Sequence, residues 1–182
     1  MAWSSPMTAV PGTVFTASQY NRFIRDNLME TAVAKATEAG QYFVVDGINS
    51  ISARKPAAAF VFAGETTASN TYGDLSTPGP TVTLETGERA FVMLSAGMEP
   101  VSTNNVAGAM SVQISGASNI AASDSNSVSL DGITAGTGNI RMGITHLIDN
   151  LTPGTNVFQC KYRAVNSSNF RFYRRTLVVF PF

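Results

Sequence analysis

Few residues of this chain are suited to chemistry. His146 is the one histidine and Cys160 the one cysteine among 182 residues. Asp149 follows His146 by three positions and serines are plentiful, so a Ser/His/Asp relay is open on residue types alone. No Gly-x-Ser-x-Gly elbow accompanies it, and the expectation is an ordinary strand histidine in a chain that is not an enzyme. A single cysteine excludes an internal disulfide and a cysteine-based zinc site. Asp124, Asn126 and Asp131 bracket a Ser/Asn-rich loop whose oxygens suit a weak Ca²⁺. The same residue types cap their own backbone in turns, which is the reading adopted. Glu85 with Glu88, or Glu99, would have to stand roughly 5–10 Å from a second carboxylate across a cleft to cleave glycosides, and no aromatic platform lies near them in sequence. Gly136-Thr137-Gly138 lacks the third glycine and the strand-to-helix setting of a phosphate loop. Expected catalytic, metal and cofactor residues are therefore none.

The remaining charge signal is Arg163, Arg171, Arg174 and Arg175, interleaved with Phe170, Phe172 and Tyr173. Such mixing can serve nucleic acids, but 12 basic residues balance 12 acidic ones, and a neutral chain is a poor polyanion binder. Strand alternation places Arg171, Tyr173 and Arg175 on one face and Phe170, Phe172 and Arg174 on the other. The arginine face is expected to form ion pairs between subunits.

The elements that must carry these residues follow from composition and period. Charged residues make up 13% and hydrophobic ones 44%; the charged share is about half the usual quarter, while the apolar share excludes a disordered chain. The length suits one domain with appendages. No signal-like apolar region follows Met1 and no run is long enough to span a membrane, so the expected product is a soluble, cytosolic one. Residues 1–15 carry Pro6, Pro11, Gly12 and no charge, the pattern of an extended arm. Thr16 and Gln19 form a capping box, with Phe15 placed to staple onto Tyr20. A helix is expected over 16–40, its core 17–39 spanning about 35 Å, with Tyr20, Phe23, Ile24 and Leu28 on one face and Gly40 as its stop.

From residue 41 the period changes to two. Strands are expected at 41–45, 48–53, 58–63, 81–85, 89–96, 109–115, 127–130, 140–148, 156–165 and 170–180. Phe158, Cys160 and Tyr162 alternate with Gln159, Lys161 and Arg163, which marks Cys160 as a buried, inert thiol. Ala90–Leu94 is apolar at every position and is expected to be covered on both faces. Ten short strands without helical crossovers predict a mainly β, antiparallel, jelly-roll-like sandwich over 41–182, preceded by the arm and one α-helix.

Two blocks resemble a known group. Val14-Phe15-Thr16-Ala17-Ser18-Gln19-Tyr20-Asn21-Arg22-Phe23-Ile24-Arg25-Asp26-Asn27-Leu28, after a Trp- and Pro-containing arm, is similar to the opening of tail and head-surface proteins of tailed phages, particularly those of actinobacteria. Leu151–Arg163, with its Pro153-Gly154 turn, and Arg174-Arg175-Thr176-Leu177-Val178-Val179-Phe180-Pro181 resemble the closing strands of the same group. The resemblance implies a virion structural protein, a minor tail or decoration part that partners other virion proteins and forms a homo-oligomer, trimeric by analogy. The expected assembly anchor is Trp3, Met7, Val10, Phe15, Tyr20, Phe23, Ile24 and Leu28. The alternative is a host-surface receptor-binding module that uses loops 66–79, 102–106 and 117–139, where Tyr72 is the one aromatic residue. Neither a nucleic-acid partner nor a membrane span is expected.

Overall fold

The computed structural model describes residues 4–101, 106–133, 140–165 and 168–182. Two compact units divide the chain, residues 1–55 with Phe182, and residues 56–181.

In the first unit the capping box forms as the sequence requires: the Thr16 side chain accepts from the Gln19 amide while the Gln19 side chain accepts from the Thr16 amide. Phe15 and Tyr20 meet edge to face at 6.2 Å between centroids. The helix runs as Ala17–Tyr20 (α1), a π-helical turn Asn21–Arg25 and Asp26–Met29 (α2), then stops ten residues short of the expected end. Glu30 leaves helical geometry at φ −90° and ψ 2°. The Thr31 hydroxyl donates to the Leu28 carbonyl, a local bond that competes with the helical ladder. A separate turn, Ala32–Lys35 (α3), comes next. Lys35 pairs with the buried Glu30 at 2.7 Å and holds that carboxyl below its ordinary pKa. Gly40 adopts φ 83° ahead of the hairpin formed by Tyr42–Gly47 (β1) and Ser50–Arg54 (β2). This hairpin is a two-stranded sheet of its own. Period-two patterning at 41–53 announced strands but not the sheet they join, so the sandwich begins near residue 57 rather than 41.

The second unit is the sandwich. Its strands among the described residues are Ala57–Val61 (β3), Glu65–Thr67 (β4), Thr81–Thr86 (β5), Ala90–Pro100 (β6), Val106–Gly116 (β7), Ser127–Ile133 (β8), Ile140–Ile148 (β9), Gly154–Ala164 (β10) and Phe170–Pro181 (β11). One sheet has the order β5-β10-β7-β8. The other has the order β3-β11-β6-β9, with the short β4 also on β11. Every pairing is antiparallel. With β4 set aside, the eight strands taken in chain order cross from one sheet to the other at every connection except that between β7 and β8, which pair within one sheet, as in a jelly roll.

The core lies between the sheets. Val82, Met110, Val112, Ile114, Phe158, Cys160 and Tyr162 face Val92, Leu94, Met98, Phe170, Phe172, Leu177 and Val179. Two layers cover only one face of each sheet. Accordingly Ala90, Val92 and Leu94 are buried, but Phe91 and Met93 are exposed, which corrects the expectation that this stretch is covered on both sides.

Loop 117–126 is fastened to β7. Ile120 and Ile114 exchange backbone bonds, and the buried Ser111 hydroxyl donates to the Ser123 and Asn126 carbonyls while accepting from the Ser123 amide. Asn156 fixes the adjoining turn. Its amide oxygen accepts from Ser118 N at 2.7 Å, and its amide nitrogen reaches Thr86 Oγ1 at 2.8 Å and the Thr152 carbonyl at 3.0 Å.

Candidate functional site

The anchor residues expected from sequence fall into three groups. Trp3 lies outside the described residues. Met7 and Phe23 are half-buried. Val10, Phe15, Tyr20, Ile24 and Leu28 are exposed, joined by Val14 at 83% and Met29. Tyr20, Ile24 and Leu28 recur at four-residue spacing, so they form one apolar stripe along the helix. The arm is not wholly extended. Ser4 donates to Asn27 Oδ1 at 2.8 Å, and Asn27 Nδ2 donates back to the Ser4 carbonyl at 3.0 Å, so its first described residue is strapped to the unit's own helix. The π-helical turn carries one extra residue per turn, which shifts the phase of the residues after it. Asn27, rather than Leu28, becomes the buried residue.

A groove of about 580 Å³ lies on the sandwich, lined by Asn70, Thr71, Tyr72, Gln113, Ser123, Asp124 and Arg163 among others. Arg163 grips Asp124 with Nε at 2.9 Å and Nη2 at 2.7 Å, and the Tyr72 hydroxyl donates to the same carboxylate at 2.7 Å. The guanidinium also lies 5.5 Å from the Tyr72 ring centroid. Hydrogen bonds from Tyr72 and then Arg163 hold the Asp124 carboxyl below its usual range. Burial and the neighbouring carboxylate push the Tyr72 phenol up. Asp124 is thereby committed to two donors, and among the described residues no group of three or more His, Cys, Asp or Glu gathers to hold a metal. Sequence singled out Tyr72, Asp124 and Arg163 separately. Their meeting depends on the pairing of Gly73 with Tyr162 and on the fastened loop.

A second cleft, about 330 Å³, lies on the outer face of the other sheet, lined by Phe62, Gly64, Glu99, Arg141, Arg171, Tyr173 and Arg174. The expected arginine face is corrected here. The register of β11 against β6 shifts between Tyr173 and Thr176, and Arg174 takes φ 48°. That left-handed conformation costs a non-glycine residue about 1 kcal/mol or more, and the extra residue reverses the alternation. Arg174 turns outward, while Arg175 enters the core, fully buried. Across the outer face Arg171 stands opposite Glu99, and Tyr173, Gly97 and Arg141 form one cross-strand row. A Cβ at position 97 would collide with the Tyr173 ring, so glycine lets that ring lie on the sheet. Arg171 approaches Glu99 at 3.7 Å, and Arg174 lies over Phe62 at 5.5 Å. Two consecutive arginines inside an otherwise alternating strand were the one sequence sign of the bulge. Nothing in the sequence placed Arg141 or Phe62 beside it.

Buried Arg175 rests over Tyr162, with Cζ 5.2 Å from the ring centroid. Its Nη1 donates to the Thr77 carbonyl at 3.3 Å, and its Nη2 stands 3.8 Å from Glu65. Among the described residues Nε and Nη2 have no hydrogen-bond partner, and neither has the Tyr162 hydroxyl. Glu65 accepts from the Thr77 hydroxyl at 2.6 Å and from the Thr77 amide, and these bonds lower its pKa, with Arg175 adding to the effect. His146 is half-buried on β9, with Nε2 unbonded. Asp149 is exposed. Cys160 is buried, and burial pushes its thiol up to about 12.

Strand order and register define the class as an antiparallel β-sandwich of jelly-roll topology. No protein-family model and no curated protein matches the chain. Among solved structures it is similar to VP2 of the infectious bursal disease virus subviral particle, at 12% identity over 75% of this chain and 36% of that one, with TM-score 0.43. It is also similar to CBM35 from Cellvibrio japonicus Abf62, at 17% identity over 69% of this chain and 95% of that one, with TM-score 0.34. The chain thus spans little more than a third of the viral protein. Among the described residues no helix is long and apolar enough to cross a membrane.

Proposed function

We propose that this protein is a non-enzymatic structural part of a tailed-phage particle, attached through the stripe on residues 10–29 and presenting the jelly roll. The observation that carries the reading is the exposure of Val14, Phe15, Tyr20, Ile24, Leu28 and Met29 on a unit separate from a sandwich whose core is complete without them. Each such side chain that a neighbouring subunit fully covers contributes about 1.5–3 kcal/mol. Repetition around a symmetry axis multiplies the attachment. The blocks at 14–28, 151–163 and 174–181 supply the phage assignment through their resemblance. Other virion proteins are the proposed partners and a homotrimer the proposed assembly, to be checked by light scattering.

The test is particle incorporation of the full chain carrying Ile24→Asp and Leu28→Asp. Both positions are exposed, so the variant folds, with an unchanged melting temperature, and is lost from purified particles. Incorporation equal to that of the unmodified chain would refute the anchor.

The groove around Tyr72, Asp124 and Arg163 favours a second reading, receptor binding by the displayed sandwich. An aromatic ring, amides and a fixed ion pair on a rigid wall suit sugar hydroxyls. Under that reading the full chain retains a glycan on an array and Tyr72→Ala abolishes the signal; an array with no signal removes it.

A further inference from the structure

The cleft between β11, β6 and β9 gathers three arginines on a chain whose net charge is zero. Only Arg171 has a carboxylate within reach, Glu99 at 3.7 Å. Arg141 reaches only the Ser95 and Thr176 hydroxyls, at 3.3 and 3.5 Å, and Arg174 faces the Phe62 ring. Among the described residues neither has an ion-pair partner. Like charges held around one cavity repel until an anion enters, and guanidinium groups take oxyanions through paired donors. Backbone features support the same cavity: Arg174 is turned outward by a strained φ, and Gly97 lets the half-exposed Tyr173 ring form part of the wall.

We propose that this cleft binds an acidic carbohydrate, a sugar bearing a carboxylate or phosphate group, with Arg141 and Arg174 taking the oxyanion. Tyr173 and Phe62 offer apolar faces to the sugar ring, and Glu99 accepts from its hydroxyls. The carboxylate separates this ligand from a nucleic acid. It would repel a continuous phosphate backbone but suits a ring that presents one anionic group among hydroxyls. A volume of about 330 Å³ falls at the small end of ligand sites and matches a short saccharide rather than a polymer duplex. The inference stands apart from the particle assignment and from the Tyr72 groove.

Calorimetric titration of the full chain tests it with four probes: trigalacturonate, its neutral methyl ester, glucose 6-phosphate and inorganic phosphate. At least one of the two acidic sugars binds about tenfold more tightly than both the ester and inorganic phosphate, and binding weakens several-fold from about 50 to 300 mM NaCl. The trigalacturonate and sugar-phosphate arms tell which oxyanion is preferred. Arg141→Ala and Arg174→Gly each lower the affinity about fivefold or more, whereas Arg89→Ala does not. Arg174→Gly also raises the melting temperature by relieving the left-handed φ, so lost binding is not lost folding. Equal binding of the neutral ester, inorganic phosphate as strong as the sugars, no binding of either sugar, or affinity unchanged in both variants would each overturn the proposal.

Discussion

Arg175 and Glu65 form a pair whose two halves should respond oppositely to removal of charge. Arg175 is fully buried with two donor nitrogens unbonded among the described residues, while Glu65 stands 3.8 Å away at the edge of the core with 20% of its side chain exposed. At this separation and an effective dielectric of about 20 the attraction is about 4 kcal/mol. Glu65→Gln removes the charge yet keeps an oxygen for the Thr77 hydroxyl and amide. It should cost about 2–3 kcal/mol, below the 3–5 kcal/mol of a fully enclosed pair because water reaches Glu65. Arg175→Met removes the cation and both orphaned donors at similar volume, so it should be neutral or stabilise by about 1–2 kcal/mol. In the double variant the Glu65→Gln penalty should nearly vanish, a coupling of about 2 kcal/mol. Urea unfolding at pH 7 with a common slope measures all four corners. The pH response has a fixed sign. The Glu65 pKa is lowered on folding, so its contribution is present above the unfolded carboxylate range and is lost as pH falls through the lowered folded value. Glu65→Gln should remove that part of the acid sensitivity. A Glu65→Gln protein within about 0.5 kcal/mol of the unmodified one, or Arg175→Met destabilised by more than about 2 kcal/mol, would refute this account of the buried guanidinium.

Asn156→Ala should destabilise by about 2–4 kcal/mol in urea, because it strands the Ser118 amide and the Thr152 carbonyl in a buried turn. A loss under about 0.5 kcal/mol would mean the turn holds itself. The Cys160 thiol, buried with its pKa pushed to about 12, should ignore a thiol reagent at pH 8 until the sandwich unfolds, and prompt labelling of the native protein would contradict the packing. Asp124→Asn should lower the melting temperature at pH 6, and the gap should close as pH falls through the lowered folded pKa of Asp124, where the native carboxyl also becomes neutral. A gap independent of pH would show that the Tyr72 and Arg163 bonds to the charge are not its source.

Local patterning settled much of this protein. The capping box at Thr16 and Gln19, the period-two runs and the Phe158-Cys160-Tyr162 face each depend on residues within a few positions, and each formed where the sequence placed it. The antiparallel sandwich class came from the same runs. Helix length did not, because the Thr31 hydroxyl bond and the Glu30–Lys35 pair compete with a ladder that propensity alone would extend to residue 39. Hairpin 42–54 shows the same limit: alternation specifies a strand, whereas its partner is chosen by contacts elsewhere. Ala90–Leu94 reads as apolar at every position, and only the count of layers decides that Phe91 and Met93 face outward. Tyr72, Asp124 and Arg163 were visible one by one and became a groove only through strand register. The sharpest case is β11, where one extra residue at Arg174 reverses every later side chain. A single backbone torsion sends Arg175 into the core and opens the arginine cleft, because side-chain direction in a strand has period two and no memory of what lies beyond the bulge.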